Sequence, residues 1–154
     1  MYQLKPNYVL RLADNAIIPP NDSNRDYQDY LAWVAAGNTP VPTPLSQLKA
    51  EALQALAAYR YDLEVAGTTW NGWPVATDRA SQSSYNASYA MARDGYWTGG
   101  RKFADGVYRI LTAEQVIALS LAVAQYVAGC FAREGELAAQ INAATDAAGV
   151  TWTW

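Results

Sequence analysis

The side chains that perform acid–base or nucleophilic chemistry are few in this sequence and poorly spaced for it. The chain contains no histidine, so it lacks the usual general base and any Ser–His or Cys–His pair. Carboxylates act in pairs in glycosidases, but Asp62 and Glu64, two apart on a predicted helix, should face different directions. Asp78, Asp94 and Asp105 fall at predicted caps and turns, where hydrogen bonding to the backbone explains them. We therefore predict no catalytic residues and a protein that is not an enzyme.

Metal and cofactor sites are equally hard to assemble from these residues. Residues 22–26 space oxygen-bearing side chains like the start of an EF-hand loop, but Tyr27 replaces the turn glycine and Trp33 the bidentate glutamate. A helix cap is the better interpretation. Cys130 is the only cysteine, which excludes an internal disulfide and disfavours a cysteine-based metal site. We predict neither metal nor cofactor.

Composition narrows the class of protein further. The 154 residues correspond to one domain, or one domain with a small appendage, and 51% of them are hydrophobic, which excludes wholesale disorder. Fourteen acidic and 11 basic residues give a net charge of −3, so the basic surface that nucleic-acid binding needs is missing. The N-terminus does not resemble a signal peptide, and no uninterrupted apolar run is as long as a membrane span. We expect no membrane insertion and folding in a cytoplasm.

Aromatic residues with a polar group are abundant, with 11 tyrosines and six tryptophans against two phenylalanines. Such side chains suit interfaces, and several of them flank predicted turns or the C-terminus. The candidate partner-binding residues are Trp70, Trp73, Tyr96, Trp97, Trp152 and Trp154. The alternative is that they pack across strands over the long helices, and that Trp152 and Trp154 close the domain's own sheet instead of adding to a neighbour's.

The N-terminal part is predicted to be a small hairpin-helix module. Strand-forming residues 8–12 and 16–18 are joined by the turn residues Asp14-Asn15, and a helix over 25–36 follows a capping residue among 22–24. Gly37 occupies the usual position after a helix end. The residues expected on the buried face of this helix are Tyr27, Tyr30, Leu31 and Val34.

Three alternating prolines between residues 38 and 44 favour an extended, semi-rigid spacer. We therefore predict an N-terminal module over 1–37, a proline-rich linker over 38–44 and a larger α+β domain over 45–154. The fold class is α+β, with two long helices packed with short β-hairpins.

The larger part alternates helices and hairpins. A helix is predicted over 45–66, a hairpin around Asn71-Gly72, and a shorter helix from its cap at Asp78 to about residue 95. A second β segment covers 96–111, with a break at Gly99-Gly100, and Val150–Trp154 is predicted as a terminal strand.

The last helix begins at a capping box formed by Thr112 and Gln115. Ten positions at alternating steps of four and three form a heptad-like seam, and Gly135 favours a kink. The seam consists of Val116, Ser120, Val123, Val127, Cys130, Glu134, Leu137, Ile141, Ala144 and Ala148. It could join identical chains, but antiparallel packing on the helix over 45–66 is the favoured interpretation, because that helix carries a similar stripe.

The order of several stretches resembles small tail proteins of tailed bacteriophages. Residues 9–20 (VLRLADNAIIPP) and 24–40 (NRDYQDYLAWVAAGNTP) resemble the opening, XkdW-like module of such proteins. Residues 45–154 resemble a domain of unknown function found in phage tail and fibre-assembly genes, in which a helix, a Trp-containing hairpin, a turn and Leu-Thr-Ala lead into a long helix. The chain departs from that pattern in one place, because the four residues 99–102 are inserted between Trp97 and Asp105.

The resemblance implies a tail context and provides no catalytic residues. It predicts a structural component at a fibre, tail-tip or baseplate junction that binds tail or fibre proteins, with a homo-oligomer as a further option. The alternatives are a tail fibre assembly chaperone and, from another class, a tail enzyme that degrades envelope polymers. The implied location is the virion tail, assembled in the bacterial host cytoplasm.

Overall fold

A computed structural model describes residues 1–5 and 7–154 of the chain. The fold is α+β as predicted, with 51% of residues in helices and 16% in small antiparallel sheets. The helices are α1 (Arg25–Ala35), α2 (Leu45–Val65), α3 (Arg79–Arg93) and α4 (Ala113–Ala143). The strands are β1 (Tyr2–Leu4), β2 (Val9–Arg11), β3 (Ala16–Ile18), β4 (Thr68–Trp70), β5 (Trp73–Val75), β6 (Gly99–Lys102) and β7 (Tyr108–Leu111).

The N-terminal module contains one strand more than predicted. The expected hairpin is β2–β3, with Asn15 at φ +59° in its turn, and β1 pairs antiparallel with β2. Three residues are too few to show a strand periodicity, which is why β1 escaped the sequence analysis. The buried residues of this small core are Tyr2, Val9, Ile18 and Tyr30.

Helix α1 is rotated relative to its predicted orientation, although Tyr27 and Tyr30 pack on that core as predicted. Its cap at Asn24 is confirmed, since the side-chain oxygen accepts from Asp26 N. Tyr30 and Trp33 pack edge-on against Tyr2, at ring-centroid distances of 5.3 and 5.1 Å. Leu31 and Val34, expected to be buried, are exposed instead. The aromatic pair removes more apolar surface from water than the two aliphatic residues would, and this sets the rotation of the helix.

The proline-rich spacer runs alongside β1. Val41 N donates to Tyr2 O at 2.8 Å, and the Thr43 hydroxyl donates to Leu4 O at 3.1 Å. The buried Lys5 ammonium, next in the chain, forms an ion pair of 2.9 Å with Glu51 on α2. These contacts connect the first module to the spacer and to α2; the division into 1–37, 38–44 and 45–154 stays a prediction.

The seam on α4 is buried within the chain. Leu137 and Ile141 pack with Leu56 of α2, and the hydrogen bond from Lys49 Nζ to Asn142 O, 2.7 Å, fixes an antiparallel arrangement. The first half of the seam packs against α3, a helix for which no packing partner was predicted. The favoured intramolecular packing is therefore confirmed, and α4 is shared between two helices. The last two predicted seam residues, Ala144 and Ala148, lie beyond the end of α4, and Ala148 is exposed.

The end of the chain departs from prediction. Helix α4 continues through Gly135 and ends at Ala143, so the helix has no break at this glycine. Residues 150–154 form no strand, although Trp152 and Trp154 share one face and pack beside Tyr59. The indole rings of Trp152 and Trp154 pack on α2 although residues 150–154 pair with no other strand. The alternation of side chains in this segment was therefore a misleading sign of a strand.

The glycine pair belongs to β6 and is not a break. A Cβ on Gly100 would lie 2.2 Å from Arg109 O and 2.9 Å from the Tyr108 ring. Only glycine permits that approach of the two strands.

By length and composition alone, helix α4 is apolar enough to cross a bilayer, and 28% of its most apolar window is buried within the fold. Ser120 and Gln125 interrupt its apolar run, and the expected absence of membrane insertion stays a prediction.

The α2–α4 contact predicts a large cost for truncating its central side chain. Leu137 is 1% exposed, and Leu137→Ala should lower the free energy of unfolding by about 2–5 kcal/mol because a cavity remains. Leu121→Ala is the matched control on the same helix, since Leu121 is 47% exposed and its loss should change stability by about 0.5 kcal/mol or less. Urea unfolding followed by circular dichroism measures both; equal effects would contradict this packing.

Candidate functional site

Trp70 and Trp73 flank the Asn71-Gly72 turn of the β4–β5 hairpin, as predicted. Both turn residues have positive φ, 50° and 77°, as a two-residue primed turn requires. The two indoles lie 5.8 Å apart, and Trp73 packs edge-on against Phe103 at 5.3 Å. Both tryptophans are half-buried against the core shared by α3 and α4. The structure therefore gives them a packing role, and a role in partner binding stays a prediction.

Tyr96 and Trp97 are neighbours with opposite environments. Trp97 Nε1 donates to Leu111 O at 2.9 Å, and its ring packs against the same core. Tyr96 is 73% exposed. Of this pair, Tyr96 alone projects far enough into solvent to meet another molecule.

Trp152 and Trp154 cover the outer side of α2. Each ring centroid lies 5.6 Å from that of Tyr59, and the guanidinium of Arg133 donates to Thr153 O at 3.1 Å. The two indoles therefore attach the C-terminal residues to the helices while remaining half-exposed. The six predicted residues do not converge on one surface.

The most exposed apolar face belongs to the β6–β7 hairpin, and the sequence analysis missed it. Tyr108 is 60% and Ile110 76% exposed, and Val107 beside them is exposed as well. Tyr108 and Ile110 alternate along β7 and share one face, opposite Lys102 and Gly100 of β6. The alternation of Tyr108 and Ile110 is visible in the sequence and could have indicated this face, but it was used only to predict the strand. We call these residues, with Tyr96 just before β6, the hairpin face.

Two arginine side chains, Arg101 and Arg109, attach the inner side of the same hairpin to the rest of the fold. The Arg109 guanidinium lies 4.9 Å from the Trp73 ring and pairs with Asp105 at 2.7 Å. The hydrogen bonds from Arg109, together with one from Val107 N, lower the pKa of Asp105 to about 2. Arg101 lies 3.7 Å over the Tyr85 ring and donates to the hydroxyls of two serines on α3. These contacts fix the hairpin on α3 and β5.

A buried carboxylate lies where α2, α3 and α4 meet. Glu64 is fully buried and accepts from Arg60, Arg79 and Gln82, and Arg60 also donates to Glu134 at 2.9 Å. Asp62 is exposed, so these two carboxylates face different directions as predicted. The sequence analysis missed the cluster because Arg79 and Gln82 come from the next helix.

The Glu64 cluster is fully hydrogen-bonded. Within residues 1–5 and 7–154, every buried side-chain nitrogen or oxygen has a hydrogen-bond partner, and both carboxylate oxygens of Glu64 accept from neighbouring side chains. In the same residues no group of three or more potential metal-ligating side chains is found. Cys130 is buried beside Tyr126, and burial raises the pKa of its thiol, which disfavours nucleophilic chemistry.

Residues 47–152 match the model of a family described as a domain of unknown function, DUF4376. The chain belongs to this family. The match runs from the first turn of α2 to Trp152, and it therefore includes the hairpin face and the Glu64 cluster. Comparison with curated proteins and with solved structures finds no significant match.

The Glu64 cluster predicts a strong dependence of stability on one carboxylate of this DUF4376 domain. Glu64→Ala leaves Arg60 and Arg79 without their buried partner and should lower the free energy of unfolding by about 3–5 kcal/mol. Glu136→Ala is the control, because Glu136 pairs with Arg133 at the surface, where an ion pair is worth about 1 kcal/mol or less. Urea unfolding at neutral pH compares them. A Glu64→Ala protein as stable as the control would show that the cluster contributes little.

The low pKa of Asp105 predicts that the protein loses stability as the pH becomes acidic. A folded-state pKa of about 2 lies below the unfolded value of about 4, so its contribution to stability is complete above pH 4 and is lost as pH falls through 2. Asp105→Asn removes this contribution at all pH values. The loss of stability between pH 4 and 2, from urea midpoints, should therefore be smaller in the variant than in the wild type. Parallel curves would exclude the Arg109–Asp105 pair as the cause.

Proposed function

We propose that this protein is a non-enzymatic component of a bacteriophage tail that acts by binding a tail or fibre protein. The observation that carries the proposal is the hairpin face, where Tyr96, Tyr108 and Ile110 are the most exposed large hydrophobic residues of the DUF4376 region. Exposed apolar clusters with aromatic members are typical of protein-binding surfaces. The resemblance of residues 9–40 to the opening module of phage tail proteins supports the tail context.

The rigidity of the hairpin face supports binding as the mechanism. Arg101 and Arg109 anchor its inner side on Tyr85 and Trp73, so the outer side is presented in one conformation. A preorganised surface loses little entropy on binding. The proposed location is the virion tail, reached by assembly in the bacterial host cytoplasm.

The test uses a phage whose genome carries this gene. Mass spectrometry of gradient-purified particles should find the protein at a fixed copy number per particle, as expected for a tail component. Detection only in infected cells, bound to a fibre protein, would replace the structural role by that of an assembly chaperone. Absence from both particles and fibre complexes would overturn the proposal.

A further inference from the structure

The outward side of α4 carries a second apolar stripe beside the buried seam. Its members follow the seam residues by one position, so they lie about 100° further round the helix. We call this set the outer stripe; it consists of Ile117, Leu121, Ala124, Ala128, Phe131, Gly135 and Ala138. The two end residues are half-buried against the two cores. Between them, Leu121 and Phe131 are 47% and 45% exposed, and the three small residues are exposed as well.

The outer stripe lies in a stretch of helix without charge. Residues 115–132 contain no acidic or basic side chain, whereas the exposed face of a helix in solution usually carries charged side chains. Apolar residues at alternating steps of four and three are also the pattern by which helices pack on one another. The seam uses this pattern within the chain, and the outer stripe repeats it on a face that stays exposed.

Helix α3 makes the outer stripe one wall of a groove. Gln82 and Asn86 of α3 line a groove of about 260 Å³ together with Ala124 and Ala128, and a second groove of about 280 Å³ adjoins it between Asn86 and Leu121. A groove with apolar walls between two helices is the kind of surface that receives a further helix.

The ring of Phe131 is fixed in place by an arginine. The Arg60 guanidinium lies 4.3 Å from the ring centroid, and Arg60 is itself held by hydrogen bonds to Glu64 and Glu134. A side chain that is already fixed loses little conformational entropy when a second surface packs on it. The largest member of the outer stripe is therefore preorganised for contact.

The sizes of its residues make the outer stripe complementary to itself in one orientation. In an antiparallel pair with its two-fold axis near Ala128, Leu121 faces the partner's Gly135 and Phe131 faces the partner's Ala124. Each large side chain then meets a small residue, so the two surfaces can interdigitate. A parallel pair would place Phe131 against the partner's Phe131 and leave a gap between the two copies of Gly135.

We propose that two copies of this protein associate through the outer stripe, with their α4 helices antiparallel. Each copy contributes the same patch, as a two-fold interface requires. The dimer carries two hairpin faces, and two linked faces bind a repetitive partner more tightly than one. The inference concerns association of the chain with itself and does not depend on the tail role.

The short length of the exposed contact sets its expected strength. Residues 121–135 span about 21 Å of helix, so the interface is small and its dissociation constant should be on the order of 100 µM. Sedimentation equilibrium between about 10 µM and about 1 mM should show a monomer that becomes a dimer. Unfolding experiments use lower concentrations, at which Leu121 is exposed. A wild type that is still monomeric at the upper concentration would overturn the inference.

Two alanine substitutions test the position of the contact. Ala128→Glu brings two carboxylates together at the two-fold axis and should raise the dissociation constant at least about tenfold. Ala118→Glu is the matched control, since Ala118 is exposed on the same helix and points about 100° away from Ile117; it should dimerise as the wild type does. Both sites are exposed, so both variants should keep the helical circular dichroism of the wild type. Equal dimerisation of the two folded variants would contradict a contact through the outer stripe.

Cross-linking tests the orientation of the two helices. In a Cys130→Ala background, Leu121→Cys and Gly135→Cys proteins are treated with a short bifunctional maleimide, alone and mixed; a Cβ at Gly135 meets no atom within 4 Å. In the antiparallel pair two copies of residue 121 lie about 21 Å apart, so the mixture should give covalent dimers and either protein alone should give few. Efficient cross-linking of Leu121→Cys with itself would indicate a parallel pair. That result, or a mixture that does not cross-link, would overturn the proposed arrangement.

Discussion

Burial of one stripe on α4 is the constraint on which the larger part of the fold depends. Val116 and Val123 close the core against α3 and the hairpins, and Leu137 and Ile141 close a second core against α2. No single partner helix is long enough to cover 31 residues. The chain solves this by placing α2 and α3 one after the other along α4, which brings the end of α2 beside the start of α3.

The Glu64 cluster is a consequence of that arrangement. The junction of α2 and α3 lies directly on α4, so the inward side of the last turn of α2, where Glu64 lies, cannot reach water, and a carboxylate there needs buried donors. Arg60 from the same helix, together with Arg79 and Gln82 from the next, provides them. A shifted register of either helix would leave the charge unpaired, so the cluster selects one register.

Features encoded within a few residues could be predicted, and features that depend on distant contacts could not. The Asn24, Asp78 and Thr112 caps and the Asn71-Gly72 turn depend on local hydrogen bonds, and all are found as expected. The rotation of α1 and the burial of Glu64 depend on partners far along the chain. The candidate site shows the same division. Residue type led to the prediction of Tyr96, which is largely exposed, and of Trp70, Trp73 and Trp97, which pack on the core. Tyr108 and Ile110 were not predicted, because their exposure is determined only by the fold.

The exposed face of the β6–β7 hairpin has a cause in its own geometry. A two-stranded hairpin is marginal in water by itself, and this one is stabilised almost wholly from its inner side, through Leu111 and the rings that receive Arg101 and Arg109. The exposed side chains on its outer side are therefore not needed to hold the hairpin on the fold. Gly100 lets the Tyr108 ring lie across β6, where its hydroxyl accepts a hydrogen bond from Gly100 N. The exposed side chains of Val107, Tyr108 and Ile110 are therefore carried by a backbone that is held in place from its inner side.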